Sequence, residues 1–185
     1  MRRIAAALIH HPVLDREQAV VTTAVTNLDL HDLSRSARCY GLSDVFIVHP
    51  IQAQRTLVER VREHWISGSG ARRIPDRTEA IRLLRVVSTL AEAIAALGPD
   101  CELWVTSARA LPGALGIAAA RDLLMSEGPP LLLAFGTGWG LADSVVASAK
   151  VRLAPLIGSA SDGYNHLSVR AAAAILFDRL LGDRA

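Results

Sequence analysis

Residues 130–141 read PLLLAFGTGWGL, an apolar run followed by a turn with glycine at alternate positions. The run Pro130–Phe135 is short and apolar throughout, as is typical of a strand buried on both faces. Gly136, Gly138 and Gly140 leave the backbone amides open to close approach, because no Cβ intervenes. The stretch therefore predicts a buried strand and, after it, either a ligand-binding loop or a tight connection that binds nothing.

Similar apolar runs alternate with helical patterns along the rest of the chain. The other predicted strands are Ile4–Ile9, Asp44–Val48, Arg85–Val87, Glu102–Thr106 and Arg152–Ile157. The predicted helices are Asn27–Tyr40, Ile51–His64, Asp76–Leu84, Leu90–Leu97, Ala114–Ser126, Leu141–Ala149 and Leu167–Leu181. This alternation indicates an α/β fold, a mostly parallel sheet flanked by helices. The Gly-, Ser- and Arg-rich stretch Ser67–Arg77 is predicted to be a mobile loop.

Length and composition limit the class of protein. The length of 185 residues predicts a single domain over 1–185. Because 51% of the residues are hydrophobic and only 21% are charged, a disordered chain is excluded. The net charge of +2 is too small to indicate nucleic-acid binding by itself. All of its cations except Lys150 are arginines, whose forks suit phosphate oxygens. A GC-rich genome is the favoured explanation of this bias.

Several kinds of site are excluded by spacing. Cys39 and Cys101 cannot form a disulfide scaffold, and His10-His11 has no matching ligand spacing, so we expect no metal. The uncharged stretch Gly128–Ala142 is too short to span a bilayer, so we expect a soluble, cytoplasmic protein without a membrane partner. The glycine turn follows the penultimate predicted strand and lacks the dinucleotide spacing, which disfavours a nucleotide-dependent oxidoreductase.

Two more loops carry polar groups at predicted strand ends, where ligands bind in such folds. Thr106-Ser107-Ala108-Arg109 follows one strand and offers two hydroxyls and a guanidinium. The loop Gly158–His166 precedes the last helix, which begins near Ser168. Taken alone, the first loop is more often a polar turn that caps the next helix, and the alternative for the second is a flexible connection with capping residues.

The helix Asn27–Tyr40 has two distinct faces. Its apolar stripe consists of Leu30, Leu33, Ala37 and Tyr40. On roughly the opposite side lie His31, Arg35 and Arg38, which suit a phosphate or a developing alkoxide. The alternative is a solvated face on which Asp32 pairs with Arg35.

Together these motifs resemble the SPOUT superfamily, and most closely a small bacterial family of predicted S-adenosylmethionine-dependent RNA methyltransferases. The resemblance covers nearly the whole chain and is carried by the segments 8–13, 21–32, 34–41, 106–109, 135–141 and 164–170. It implies a C-terminal trefoil knot. Sequence periodicity cannot predict such a knot, because knots are rare exceptions to ordinary chain connectivity. It also implies a homodimer in which two subunits build each active site.

The resemblance further implies specific residue roles. Arg35 matches the arginine that assists the attacking 2′-hydroxyl in ribose methylases, and His31 or Arg38 would orient the acceptor. The methyl-donor pocket would be formed by three loops and the strand ends beside them, namely Thr106, Ser107, Ala108, Arg109, Phe135, Gly136, Thr137, Gly138, Gly140, Leu141, Leu156, Ile157, Gly158, Asn165, His166, Leu167, Ser168 and Val169.

Three residues depart from the ribose-methylase pattern: Asp29 replaces an Asn, Thr137 a Glu, and His166 lies near the usual Asn. The sequence therefore predicts an RNA methyltransferase acting on tRNA or rRNA, with a ribose oxygen favoured over a base nitrogen. The alternative is an RNA-binding module that keeps the fold without turnover.

The expected dimer contact is the small-residue stripe of the last helix. It comprises Val169, Ala172, Ala173, Leu176 and Leu180, widened by Ala171 and Ala174. The alternative is that this stripe packs within one chain.

Overall fold

A computed structural model describes residues 2–183. In chain order its elements are β1 (Ile4–Ile9), β2 (Val13–Leu14), β3 (Val20–Val21), α1 (Asn27–Cys39), β4 (Val45–Val48), α2 (Gln52–Ile66), α3 (Ser69–Arg73), α4 (Pro75–Ile81), β5 (Leu84–Val87), α5 (Leu90–Leu97), β6 (Glu102–Val105), α6 (Ile117–Met125), β7 (Leu131–Gly136), α7 (Asp143–Ser148), β8 (Val151–Arg152) and α8 (Val169–Leu181).

Six strands form one sheet in the order β5-β4-β1-β7-β6-β8. Every neighbouring pair in this sheet is parallel, and Ile4 of β1 pairs with Leu131 of β7 at its centre. The predicted α/β class with a mostly parallel sheet is therefore confirmed. The strands β2 and β3 form a separate antiparallel hairpin that the sequence did not predict.

Side chains of the central strand alternate between two apolar layers, as period two requires. Ala6 and Leu8 belong to the layer covered by α1, α2, α4, α6 and α8, while Ala7 and Ile9 belong to the layer covered by α5 and α7. All four side chains are fully buried. The sheet is thus covered by helices on both faces, and its strand ends remain open to ligands.

The predicted mobile loop Ser67–Arg77 is wrong, because this stretch contains α3 and the start of α4. Gly70 packs directly under Trp65, where a Cβ would lie 2.7 Å from the indole ring. Pro75 occupies the first turn of α4, where its missing N–H costs nothing. Tertiary packing, rather than an apolar period, therefore orders this segment.

The last predicted strand, Arg152–Ile157, is also shorter than expected. Only Val151 and Arg152 pair with β6, and Leu153 adds an isolated bridge to Leu115. The chain then leaves the sheet, so the segment after Leu153 is a loop at the sheet edge.

The stripe expected to form a dimer contact on α8 is buried inside this chain. Ala173, Leu176 and Leu180 are at most 3% exposed, and Val169 and Ala172 pack on the same core. The stripe packs within one chain, so placing the dimer contact there was wrong. The homodimer itself and the trefoil knot stay predictions.

Candidate functional site

A cavity of about 810 Å³ opens at the carboxyl ends of β6 and β7, within the size range of small-molecule sites. Three segments line most of it: the turn after β6, the glycine turn after β7, and the residues that lead into α8. The start of α1 closes another side with Thr26 and Asp29. The cavity therefore lies where parallel α/β sheets bind ligands.

Most of the residues predicted for the donor pocket line this cavity. They are Thr106, Ser107, Ala108, Arg109, Phe135, Gly136, Thr137, Gly138, Gly140, Leu156, Asn165, His166, Leu167, Ser168 and Val169.

Three predicted pocket residues lie outside the lining. Leu141 is buried and bridges to Val13, Ile157 is 72% exposed, and the Gly158 N–H donates to Asn165 Oδ1 at 2.9 Å. Leu141 and Gly158 therefore support the loops that line the cavity, and the Ile157 side chain is open to solvent.

The glycine turn is shaped by the β2–β3 hairpin beneath it. Gly138 has a φ of +58°, and a Cβ there would lie 2.8 Å from the carbonyl oxygen of Leu14. The Trp139 N–H donates to this same oxygen at 2.9 Å. Gly138 is therefore required by the backbone and its contact with the hairpin, before any ligand is considered.

Asn165 ties together the ends of the loop that precedes α8. Its Nδ2 donates to the carbonyl oxygen of Leu156 at 2.8 Å, and its Oδ1 accepts the Gly158 N–H. Ser168 then caps α8 by accepting the Ala171 N–H at 3.2 Å. These bonds give the third cavity wall a defined shape although it contains no strand or helix.

A partly buried chain of polar side chains lies beneath the glycine turn. The hydroxyls of Thr137 and Thr23 are hydrogen-bonded, and Thr23 Oγ1 is 3.0 Å from Nδ1 of His10. His10 is fully buried, and its Nε2 has no partner within the described residues. Burial, with a smaller effect of His49, lowers the pKa of His10 from 6.5 to about 4. His10 is therefore a neutral group that supports the turn through two hydroxyls.

A second polar contact joins the first turns of α1 and α8 at the cavity wall. Arg170 Nη1 donates to Asp29 Oδ1 at 2.8 Å, and its Nε lies 3.3 Å from Asp32 Oδ2. Asp29 is only 5% exposed. Asp32 is thus paired with Arg170 in this structure, where the sequence offered a pairing with Arg35 as the alternative.

The three residues predicted to be catalytic do not line the cavity of their own chain. Arg35 and Arg38 are exposed on α1, whereas His31 is half-buried with its ring 5.3 Å from that of Trp65. Burial, and next the Arg77 guanidinium, lowers the pKa of His31. The structure therefore separates these side chains from the predicted donor pocket.

Two features of the site were missed in the sequence. The Asp29–Arg170 pair joins residues 141 positions apart, and neither carries a local signal for the other. His10 was considered only as a metal ligand, and its place directly after a buried strand was the available signal for a structural role.

No helix in residues 2–183 could cross a membrane. Over the same residues, His, Cys, Asp and Glu side chains nowhere gather in a group of three or more that could hold a metal ion.

The chain is similar to known proteins over almost its full length. Residues 3–182 match the family described as SAM-dependent RNA methyltransferase. A tRNA (guanine-N(1)-)-methyltransferase of Oleidesulfovibrio alaskensis is 42% identical over 98% of this chain but only 43% of its own length. A protein of Aquifex aeolicus without a stated function is 35% identical over 94% of this chain and 86% of its own.

The fold is also found among solved structures. The TrmH/SpoU tRNA modifying enzyme of Aquifex aeolicus matches with a TM-score of 0.57 over 98% of this chain and 75% of that enzyme. Its sequence identity of 10% limits this likeness to the fold. The family match spans nearly every described residue, and the fold is that of the SpoU-type enzymes. The chain therefore belongs to the family of S-adenosylmethionine-dependent RNA methyltransferases and has a SPOUT-type fold.

Proposed function

We propose that this protein transfers the methyl group of S-adenosylmethionine to tRNA. The observation that carries the proposal is the cavity at the carboxyl ends of β6 and β7, which is lined by the loops predicted to hold the donor. The chain spans only 43% of the tRNA methyltransferase of Oleidesulfovibrio alaskensis. The activity and the substrate of this chain are therefore proposed on its own site.

The residues around the cavity fit such a donor. Leu156, Leu167 and Phe135 provide apolar surface for a planar base, while Thr106 and Ser107 provide hydroxyls for sugar and amino-acid groups. A volume of about 810 Å³ leaves room beside the donor for an acceptor group. When bound, S-adenosylmethionine supplies the reactive methyl group, and the protein supplies alignment and electrostatics.

Arg35 is the residue we assign to the acceptor. Its guanidinium keeps its proton and would stabilise negative charge that develops on an attacking ribose oxygen. His31 and Arg38 remain alternatives for orienting that acceptor. Since Arg35 is exposed and does not line the cavity of its own chain, we propose that it acts in the site of a partner subunit.

The rim of the cavity supports a homodimer of this kind. Large apolar side chains are exposed at or beside the rim, namely Trp139 at 52%, Ile157 at 72%, Tyr164 at 65% and Leu167 at 48%. Grouped apolar exposure of this type marks interaction surfaces. A two-fold dimer through this rim would cover these side chains, in place of the α8 stripe, and bring Arg35 of one subunit to the cavity of the other. Knotting of the C-terminal segment and a cytoplasmic location, where tRNA is modified, belong to the same proposal.

The ribose 2′-oxygen is our first choice of acceptor, because a guanidinium suits an alkoxide. Guanine N1 is the second candidate, since it is named for the relative from Oleidesulfovibrio alaskensis. This chain matches 43% of that relative, so the activity in that name can reside in its remaining part.

Mass spectrometry of nucleosides tests the proposal. Unmodified tRNA is incubated with the purified protein and S-adenosylmethionine that carries a labelled methyl group, and then digested. We expect a labelled 2′-O-methylnucleoside. A labelled 1-methylguanosine would instead identify guanine N1 as the acceptor. Donor binding in calorimetry without any label in tRNA would instead support an RNA-binding module without turnover.

A further inference from the structure

A second polar surface lies on α1, α2, α3 and α4, away from the cavity lining. Its centre is Trp65, with the ring of His31 at 5.3 Å and that of His64 at 5.3 Å, both edge-on. The guanidinium of Arg77 lies over the indole at 4.9 Å from its centroid. We call this the Trp65 surface, formed by Trp65, His64, Arg35, Arg72, Arg73 and Arg77.

In the part of the chain that the structure describes, no carboxylate forms an ion pair with an arginine of the Trp65 surface. Within residues 2–183, ion pairs of arginine involve Arg2, Arg3, Arg62, Arg82, Arg85 and Arg170. Glu59 and Glu79, on the same group of helices, are already paired with Arg62 and Arg82. Glu63 and Asp76 are the other carboxylates on α2 and α4, against four guanidinium groups on the surface. The surface therefore carries an excess of positive charge.

The local potential at His31 agrees with this excess. After burial, the positive charge of Arg77 is the largest factor that lowers the pKa of His31. Asp32 acts in the opposite direction, and Arg35 acts in the same direction as Arg77. Guanidinium groups from α1 and α4 thus both act on the imidazole of His31.

The chemistry of these groups favours a phosphodiester chain. Arginine forks match phosphate oxygens, and stacking on Trp65 restrains Arg77, so less rotamer freedom is lost on binding. The guanidinium groups are spread over three helices on an open surface rather than gathered in a pocket. Such a spread suits a polyanion better than a single small anion.

We propose that the Trp65 surface binds the phosphate backbone of tRNA. The inference rests on the proposed function, because it takes RNA as the substrate. Arg35 belongs both to this surface and to the proposed acceptor group. A strand that follows Arg72, Arg73 and Arg77 would therefore be led toward Arg35, and the surface would position tRNA without contacting the methyl donor.

The test removes two cations that are remote from the cavity. The double variant Arg72→Ala/Arg73→Ala keeps good helix formers in α3, and the matched control Arg121→Ala/Arg179→Ala makes the same charge change on α6 and α8. Binding of unmodified tRNA is measured by fluorescence anisotropy at several salt concentrations without donor. S-adenosylmethionine affinity is measured separately by calorimetry.

We expect the Arg72/Arg73 variant to bind tRNA about 10-fold more weakly at low salt. The slope of log affinity against log salt should fall by roughly 1.4, or about 0.7 for each lost phosphate contact. The control pair should change neither quantity by as much, and donor affinity should stay at the parent value. If the Arg72/Arg73 variant has the same tRNA affinity and salt slope as the control pair, the proposal that the Trp65 surface binds tRNA is wrong.

The results separate this inference from the proposed function. If the parent methylates tRNA and the Arg72/Arg73 variant binds tRNA normally, the proposed role of the Trp65 surface is wrong and the proposed function stands. If the parent transfers no methyl group but its tRNA binding depends on Arg72 and Arg73, the proposed function is wrong and the role of the Trp65 surface stands.

Discussion

The cavity and the Trp65 surface are built from different parts of the same fold. The cavity is concave, and loops at strand ends line it with backbone amides and hydroxyls. Two arginines also line it: Arg170, which is already paired with Asp29, and Arg109, which donates to Gln18 Oε1. The Trp65 surface is open, lies on helices, and carries arginines that form no ion pair with a carboxylate of the described residues. One region suits a small molecule held by shape, and the other suits a long polyanion held by charge.

Helix α1 connects the two regions. Its first turn contributes Asp29 to the cavity wall, and its next turns carry His31 and Arg35 toward the Trp65 surface. Donor binding and tRNA binding should therefore respond to different substitutions, and transfer should need both. The following predictions test this separation.

The largest effect is expected at Arg35. Arg35→Ala should slow single-turnover methyl transfer by roughly 10²–10³, equivalent to about 3–4 kcal/mol of transition-state stabilisation. Donor affinity, measured by calorimetry, should stay unchanged. Arg35→Lys should recover part of the rate, because it restores charge without the planar fork.

Saturating tRNA separates the chemical step from binding at the Trp65 surface in this experiment. Arg38→Ala serves as the comparison on the same helix face. Full transfer activity in Arg35→Ala at saturating tRNA would contradict the assignment and favour Arg38 or His31.

Lowering the pH should reduce the stability of the fold, and His10, which supports the cavity, should contribute more to this loss than the Trp65 surface does. Below pH 6.5 the unfolded chain protonates His10, whereas folded His10 remains neutral until about pH 4. The unfolded state then binds more protons, so stability falls as the pH falls through this window, by about 3 kcal/mol in total. Burial lowers the pKa of His49 as well, and adds to the loss.

Urea unfolding at pH 7 and pH 4.5 measures this loss. His10→Asn, which keeps a polar group near Thr23, should show a weaker dependence than the parent. His31→Asn should remove a smaller part of the dependence, because the pKa of His31 is also lowered but its side chain is only half-buried. An unchanged pH dependence in His10→Asn would show that His10 is not the group that resists protonation.

The Asp29–Arg170 pair should contribute to stability more than the neighbouring contact with Asp32. Arg170→Ala leaves the buried Asp29 carboxylate without its partner and should cost about 2 kcal/mol of unfolding free energy, less than a fully buried pair because Arg170 is 29% exposed. Asp32→Ala removes a carboxylate that is 46% exposed and should cost about 0–1 kcal/mol. Chemical denaturation measures the unfolding free energy of both variants. An equal loss in Arg170→Ala and Asp32→Ala would contradict the larger contribution expected of the Asp29–Arg170 pair.

The smallest effect is expected at Asn165. Asn165→Ala removes the two bonds that hold Leu156 and Gly158 in the third wall, and each such bond contributes about 1 kcal/mol. Donor affinity should fall about 10-fold, while tRNA affinity without donor stays the same. Ser161→Ala, in the exposed part of the same loop, is the control; an equal effect of both variants would contradict a specific role of Asn165.

Much of the fold could be predicted because several of its strands are uninterrupted apolar runs. The run Ile4–Ile9 coincides with β1, and Leu90–Leu97 coincides with α5. The β2–β3 hairpin was missed because two-residue strands carry no period. Helix α3 was missed because Ser69, Gly70 and the arginines near them have no apolar stripe, and the helix depends on the fit of Gly70 under Trp65.

The candidate site was predictable where it follows strand ends. Thr106–Arg109 and the glycine turn line the cavity because the carboxyl ends of parallel strands meet at one edge. The position of His31 was not predictable, since helix spacing gives a face but not the neighbour that packs on it. That neighbour is Trp65, which comes from another helix.

The position of β1 has a consequence for synthesis of the chain. β1 is synthesised before both of its neighbours in the sheet. It can pair with β4 on one side, but its other side waits for β7, as Ile4 does for Leu131. Until then the nascent sheet has an unpaired apolar edge, the kind of edge that favours aggregation. Completion depends on long-range closure, which is slow. We therefore expect a chain stopped before residue 131 to require chaperones, whereas arrival of β7 both seals that edge and brings in the glycine turn.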